Sequence, residues 1–364
     1  MQYNERKSIL WEEAGRMPYR SQHLLTEGPL LDANGHLVEA GYATNLCRRY
    51  DRSAVRAGKT RIKEWDYYLV TGDEMALALT IADNSYIGLD SVSLLWLGEK
   101  PHERTKSMMR FAPMGKTGLP ADSARGDVQS AGKNYRLRFH NDGAERLLTA
   151  HLDDFQDGKP LDAEIRLTAA PRETMVIATP FAGKPKHFYY NQKINCMRAE
   201  GSVTFDGRTY RFHPETAAAV LDWGRGVWTY RNTWYWSSLN AYLDGVPFGF
   251  NLGYGFGDTS AATENMLFYD GAAHKLEHVA FEIPRTMEGR DDFMKPWRIR
   301  DNDGRLDLIF EPVLDRASLT SAIVVKSDQH QVFGRFTGRA VLDDGTVLRP
   351  EGLMGFAEKV YNCW

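Results

Sequence analysis

Cysteine is scarce in this 364-residue chain: Cys47, Cys196 and Cys363 lie far apart and are odd in number. They build neither a disulfide framework nor a Cys-x-x-Cys metal knuckle, which excludes a stapled scaffold. Excess charge of either sign is also missing, with 45 Lys+Arg against 48 Asp+Glu and a net charge of −3. The electrostatic footprint of a nucleic-acid binder is therefore absent, and no nucleic-acid partner is expected. No apolar run approaches the roughly 18 residues of a spanning helix, so no membrane-spanning segment is expected. Residues Met1 to Lys7 have no apolar core behind them and predict no secretory leader. Cys363 stands one residue from the end, too late for prenylation. A reducing cytoplasm is the expected compartment. Helical periodicity is rare as well. It is limited to the Glu5 to Met17 region and to brief connectors such as Pro214 to Ala218.

What the chain has instead is turns. Asn34-Gly35, Asp142-Gly143, Asp157-Gly158, Asp206-Gly207, Asp244-Gly245, Asp270-Gly271, Asp303-Gly304 and Asp344-Gly345 lie between apolar or alternating runs. Such pairs tolerate positive φ and join antiparallel strands. The segments between them, such as Tyr135–Phe139, Ala163–Leu167, Ser202–Phe205, Thr209–Phe212 and Leu306–Phe310, alternate or are β-branched and aromatic. The reading is all-β, with hairpins that close into barrels or sandwiches to remove their edges. Pro171 and the stretch Pro180–Pro185 carry enough Pro and Gly to mark a junction. A division there gives two halves, 1–180 and 181–364, each expected to form one barrel.

Aromatic residues make up 12% of the chain, and four of its nine Trp fall between 223 and 236. On the strand period of two, Trp228, Tyr230, Trp234 and Trp236 share a face. In the next strand Phe248, Phe250, Leu252, Tyr254 and Phe256 share another, opposite Gly249, Asn251, Gly253, Gly255 and Gly257. A glycine-lined face admits a ring, a backbone or a ligand at close range. Two explanations stand side by side: aromatics covering glycines in a packed barrel, or an aromatic-walled cavity for an apolar or flat ligand. Asp222, Arg225, Arg231, Asp258 and Glu264 interrupt this stretch. Arg225 would hold one carboxylate ionised while an apolar wall keeps another protonated, the state a general acid needs. An Asp–Arg pair bracing a strand end is the structural alternative.

Sharper-looking motifs fail on inspection. His274-Lys-Leu-Glu277-His278 fits a zinc pattern as a string but runs into the strand-like Val279–Ile283, so no metal is expected. Gly253-x-Gly255-x-Gly257 lacks the spacing and context of a dinucleotide fingerprint. The basic run Arg48, Arg49, Arg52, Arg56, Lys59, Arg61 and Lys63 reads as a solvated face, with peripheral contact to an anionic headgroup or phosphate as the alternative. In His187-Phe-Tyr189-Tyr-Asn191-Gln-Lys193-Ile-Asn195 the odd positions share a side, and Tyr189 and Lys193 are the candidate ligand contacts.

Several longer strings carry a family likeness. Phe188-Tyr-Tyr-Asn-Gln-Lys-Ile-Asn-Cys-Met197, Asp222-Trp-Gly-Arg-Gly226, Asn251 to Asn265 and Lys63-Glu-Trp-Asp-Tyr-Tyr68 resemble the bacterial domain-of-unknown-function family 2804. Gly201 to Tyr210 followed by Leu221-Asp-Trp-Gly224 is more remotely similar to the carotenoid 1,2-hydratase (hydroxyneurosporene synthase) and AttH-like group. There, intervening residues stand where this chain has Asp222 directly before Trp223. The resemblance implies two lipocalin-like antiparallel β-barrels side by side, with short helices. It also implies a hydrophobic, lipid- or isoprenoid-like ligand, and hydration, elimination or cyclisation driven by an acidic side chain without a cofactor. The candidate catalytic residues are then Asp222, Arg225, Asp258 and Glu264. The candidate ligand wall is Trp223, Trp228, Tyr230, Trp234, Trp236, Tyr254, Tyr189 and Lys193. A non-enzymatic carrier, and less readily a glycoside-acting enzyme, are the alternatives.

Overall fold

The structure is a computed structural model that describes residues 22–322 and 325–363. The helix expected over Glu5 to Met17 lies outside the described residues. In chain order the strands are β1 (Gly28–Pro29), β2 (Gly41–Ala43), β3 (Arg48–Arg49), β4 (Ile62–Thr71), β5 (Met75–Asp83), β6 (Ile87–Trp96), β7 (His102–Phe111), β8 (Val128–Gly132) and β9 (Tyr135–Asn141). They continue as β10 (Arg146–Gln156), β11 (Lys159–Thr168), β12 (Met175–Pro180), β13 (Phe188–Phe205), β14 (Arg208–Phe212), β15 (Ala218–Val227), β16 (Arg231–Leu243) and β17 (Val246–Tyr254). The last are β18 (Met266–Tyr269), β19 (Ala272–Lys275), β20 (Val279–Glu282), β21 (Trp297–Asp301), β22 (Leu306–Ala322), β23 (Val325–Val341), β24 (Val347–Leu348) and β25 (Leu353–Cys363). Helix among the described residues is confined to two 3₁₀ turns at Arg52–Ala54 and Lys59–Arg61. The connector expected at Pro214 is a hydrogen-bonded turn closed by Ala217 N on His213 O, and it leads directly into β15.

Two curled antiparallel sheets stand side by side. One has 13 strands and runs β7-β6-β5-β4-β15-β13-β11-β10-β9-β8 along its main path; the other has 10 and runs β19-β18-β17-β16-β25-β23-β22-β21-β20. The Asp-Gly turns work as their chemistry requires: Asp157-Gly158, Asp206-Gly207, Asp244-Gly245 and Asp270-Gly271 have positive φ at both residues. Pro180–Pro185 turns between neighbouring strands β12 and β13 of the first sheet. The chain passes from the first sheet to the second at Trp228–Tyr230, between β15 and β16.

Each sheet curls around its own core. Tyr68, Phe139, Ile165, Leu221 and Trp223 fill the first, and Leu239, Phe250, Trp297, Phe310 and Phe336 the second. The outer faces of the two sheets then meet in two apolar clusters. One joins Leu69, Ala78 and Val220 to Trp236, Phe333 and Phe356; the other joins Met175, Ile177 and Tyr189 to Phe256, Met266 and Phe268. This explains why all ten residues of β15 are buried: one side faces the first core and the other faces the second sheet. Strand parity assigns the sides. Ala219, Leu221, Trp223 and Val227 point into the first core, while Val220 joins the inter-sheet cluster.

The basic run is not one solvated face. Arg49 and Lys59 are exposed, but Arg48 and Lys63 are buried. Arg48 is ion-paired with Glu39 and donates to Thr26 Oγ1 at 2.9 Å, while Arg52 pairs with Glu64. Glu39 and Glu64 supply counter-charges for Arg48 and Arg52 inside the fold.

Candidate functional site

A cleft of about 460 Å³ lies between the two sheets. Its wall on the first sheet is built in straight rows across hydrogen-bonded strands. Lys193 on β13 stands opposite Asp222 on β15, which stands opposite Tyr67 on β4. The row continues through Thr80 on β5 and Ser91 on β6 to Ser107 on β7. The next row holds Asn191, Gly224, Trp65, Ala82 and Leu89. Gly224 is required there, because a methyl group at its Cα would overlap the Trp65 ring.

The second sheet answers with its own row: Trp236 on β16, Glu358 on β25, Gln331 on β23 and Arg316 on β22. Every residue of both polar rows lines the cleft. Trp65, Tyr189, Trp228, Trp234 and Phe256 close one end in a mesh of edge-on and stacked rings with centroids 5.0–6.2 Å apart. The cleft is thus aromatic at one end, hydroxyl- and amide-lined at the other, and charged between them.

Three carboxylates and one ammonium meet at that centre. Lys193 Nζ lies 2.7 Å from Asp222 Oδ1 and 3.8 Å from the centre of the Trp236 ring, and Asn191 Nδ2 donates to the same Oδ1 at 2.6 Å. Glu264 accepts at Oε2 from Asn251 Nδ2 at 3.4 Å, while Asn251 Oδ1 accepts from Trp236 Nε1 at 2.7 Å. Burial pushes the Glu264 carboxyl above its ordinary range, against the pull of Lys193. Glu358 is buried. Its Oε1 accepts from Trp234 Nε1 at 2.8 Å and its Oε2 from Gln331 Nε2 at 3.0 Å. Arg316 Nη1 donates to Gln331 Oε1 at 2.9 Å, which fixes the amide so that its NH₂ faces the carboxyl. Among the described residues no Lys, Arg or His lies within ion-pair distance of Glu358. Burial therefore dominates, and its pKa is raised to about 7. The Tyr67 hydroxyl is buried beside Gln331, and burial raises it to about 12.

The structure gathers Asp222, Glu264, Tyr189, Lys193, Trp228, Trp234 and Trp236 into this cleft. It does not bring the other candidates there. Arg225 and Trp223 are on the opposite face of β15, fully buried in the first sheet. Arg225 Nη2 lies 3.0 Å from Asp66 Oδ1, and its guanidinium stacks 4.3 Å from the Trp223 ring. Tyr254 stacks on Tyr235 at 4.4 Å beside the second core, with its hydroxyl accepting from Phe281 N. Asp258 sits in a turn, accepting from Ser260 N at 3.0 Å, and Tyr230 is 45% exposed. Gly249 and Gly253 do allow close approach, but by the Cys196 thiol and the Glu264 carboxyl. Residues 272–275 form strand β19, and His274 pairs with Asp343 at 3.2 Å. Sequence reasoning missed Glu358, Gln331, Arg316, Trp65 and Tyr67. Glu358 carried one usable signal, a lone acid among Met354, Phe356, Ala357 and Val360.

Comparison with known proteins agrees with this architecture. Kievitone hydratase from Nectria haematococca is similar over 96% of this chain and 98% of its own, at 12% identity and a TM-score of 0.50. A putative AttH protein from Nitrosomonas europaea is similar over 92% of this chain and 99% of its own, at 12% identity and a TM-score of 0.47. No curated protein matches by sequence. A sequence profile described as a domain of unknown function, DUF2804, matches residues 21–364, and the chain belongs to that family.

Proposed function

We propose that this protein takes an apolar, unsaturated small molecule into the cleft between its sheets and adds water to, or removes it from, a carbon–carbon double bond without a cofactor. The carrying observation is Glu358: a buried carboxyl raised to about 7, without a paired cation, on the wall of an aromatic cleft. A carboxyl half-protonated near neutrality is the form a general acid needs. Protonated Glu358 gives its proton to one alkene carbon, leaving a cation at the other. The faces of Trp228 and Trp234 stabilise that cation through their negative quadrupoles. Water adds to it, and the surplus proton passes to Asp222, which Lys193 and Asn191 hold in place. Exchange with solvent returns both carboxyls to their starting states, so the step balances without an oxidant or reductant. Elimination is the same path reversed. The likeness to kievitone hydratase supports the fold of such a catalyst and assigns no residue.

The test is incubation with a mixture of unsaturated isoprenoid alcohols and prenylated phenols in isotopically labelled water, read by liquid chromatography and mass spectrometry. The expected result is a labelled hydration product, formed at least about 100-fold more slowly by Glu358→Gln. Retention of a mixture component with no labelled product would favour a carrier that uses the same cleft.

A further inference from the structure

Arg316 is the unexplained charge in the cleft. It comes from β22, is half-buried and lines the polar end. Nη1 donates to Gln331 Oε1 at 2.9 Å, and Nη2 reaches across to the first sheet, where it donates to Ser93 Oγ at 2.6 Å. Both acceptors are neutral. Among the described residues no carboxylate comes within the 4.0 Å of an ion pair with it. Lys193, the other cation lining the cleft, is matched by Asp222. Glu103 lines the same end, but its Oε2 accepts from Thr105 Oγ1 at 2.6 Å and it stays beyond ion-pair distance of Arg316.

A brace between the sheets accounts for the two hydrogen bonds but not for the charge, since a neutral donor would brace as well. Removing a guanidinium from bulk water without a counter-charge is unfavourable, and an anion arriving with the ligand would relieve that cost. Five N–H groups in a planar fork, two of them engaged, leave donors free for a bidentate oxyanion.

Resting on the reading of this cleft as a ligand site, we infer that its ligand carries an anionic oxygen group, a carboxylate or a phosphate, bound by Arg316. The spacing sets where that group lies relative to the chemistry. Arg316 and Glu358 share one row and are separated by β23, so their backbones stand two strand spacings apart, on the order of 10 Å. The ligand is thus an amphipathic acid: its anion lies among the hydroxyls of Ser91, Ser107 and Ser318, and its unsaturated end lies among the tryptophans.

Tryptophan-fluorescence titration with farnesol, farnesoic acid and farnesyl monophosphate tests this, because the three share one chain and differ only at the head. Wild type is expected to bind one or both anions at least about tenfold more tightly than farnesol. Whichever is preferred identifies the anion. Arg316→Gln should erase that preference, so that the anions bind no more tightly than farnesol, while Arg316→Lys should keep part of it. Equal binding of all three by wild type, or a preference that survives Arg316→Gln, overturns the inference and leaves the cleft reading standing. Quenching by none of the three overturns both. If Arg316→Gln loses farnesol as well, Arg316→Lys decides: a retained anion preference supports the assignment, and a lost one refutes it.

Discussion

Replacing Glu358 with Gln is the most informative perturbation of the fold. The two side chains have nearly the same shape, but only one titrates. In the folded protein the carboxyl is raised from an ordinary 4.5 to about 7 by burial, against hydrogen bonds from Trp234 and Gln331. The sign follows from linkage: a raised folded-state pKa means the native state binds more protons than the unfolded chain. Its stability contribution is full below about 4.5 and is lost as pH rises through about 7. Integrated between pH 5 and pH 8, that loss is about 2–3 kcal/mol. Gln keeps an acceptor for the Trp234 indole but sets its NH₂ against that of Gln331, a pH-independent cost of about 1 kcal/mol. Urea unfolding of both proteins at the two pH values isolates the term, since all other titrating groups are common to both. Stability of Glu358→Gln relative to wild type should rise by about 2–3 kcal/mol from pH 5 to pH 8. An identical pH dependence in the two proteins would mean that Glu358 titrates normally, and the proposed acid would lose its physical basis.

Other perturbations probe separate parts of the site. Lys193→Met strands the Asp222 carboxylate in the wall with only Asn191 for a partner, and urea unfolding should show a loss of about 3–5 kcal/mol. Adding Asp222→Asn to that variant should recover much of it; no recovery would show that Lys193 acts through packing on Trp236 instead. Gly224→Ala must displace the Trp65 ring, and a thermal melt should register about 1–3 kcal/mol of destabilisation together with weaker quenching by cleft ligands. Trp234→Phe removes the indole donor that favours the ionised form of Glu358. The pH midpoint of the hydration rate should therefore move up by roughly 0.5–1 unit, and an unmoved midpoint would dissociate Trp234 from the acid.

Much of the architecture was legible because local chemistry dictated it. Asp206-Gly207 and Asp244-Gly245 reverse the chain with both residues at positive φ, and few other residue pairs do that at low cost. The all-β reading follows from such turns. The passage between sheets was less legible, because Trp228-Thr-Tyr230 contains neither Gly nor Pro, whereas Pro180–Pro185 looks like a junction and is a turn within one sheet. Of the sequence candidates, Asp222, Glu264, Lys193 and three tryptophans line the cleft; they stood out because they interrupt or dominate short segments. Arg225 was misassigned for a reason visible in the sequence: three positions from Asp222 on a strand is the opposite face. It points away from the cleft, toward Asp66. Glu358 and Arg316 were hidden for a different reason. They join the cleft only through the pairing of β25 with β16 and of β22 with β23, and no local period reports which strands will be neighbours.

Native mass spectrometry of the full chain isolated from cells, with the released small molecules identified by chromatography, tests the central claim most directly. Wild type should carry an unsaturated, amphipathic molecule, and a variant with its cleft filled, Ala82→Trp, should emerge empty while remaining folded. Bare wild-type protein, recovery of water-soluble sugars alone, or a molecule that Ala82→Trp retains would contradict a ligand site between the sheets.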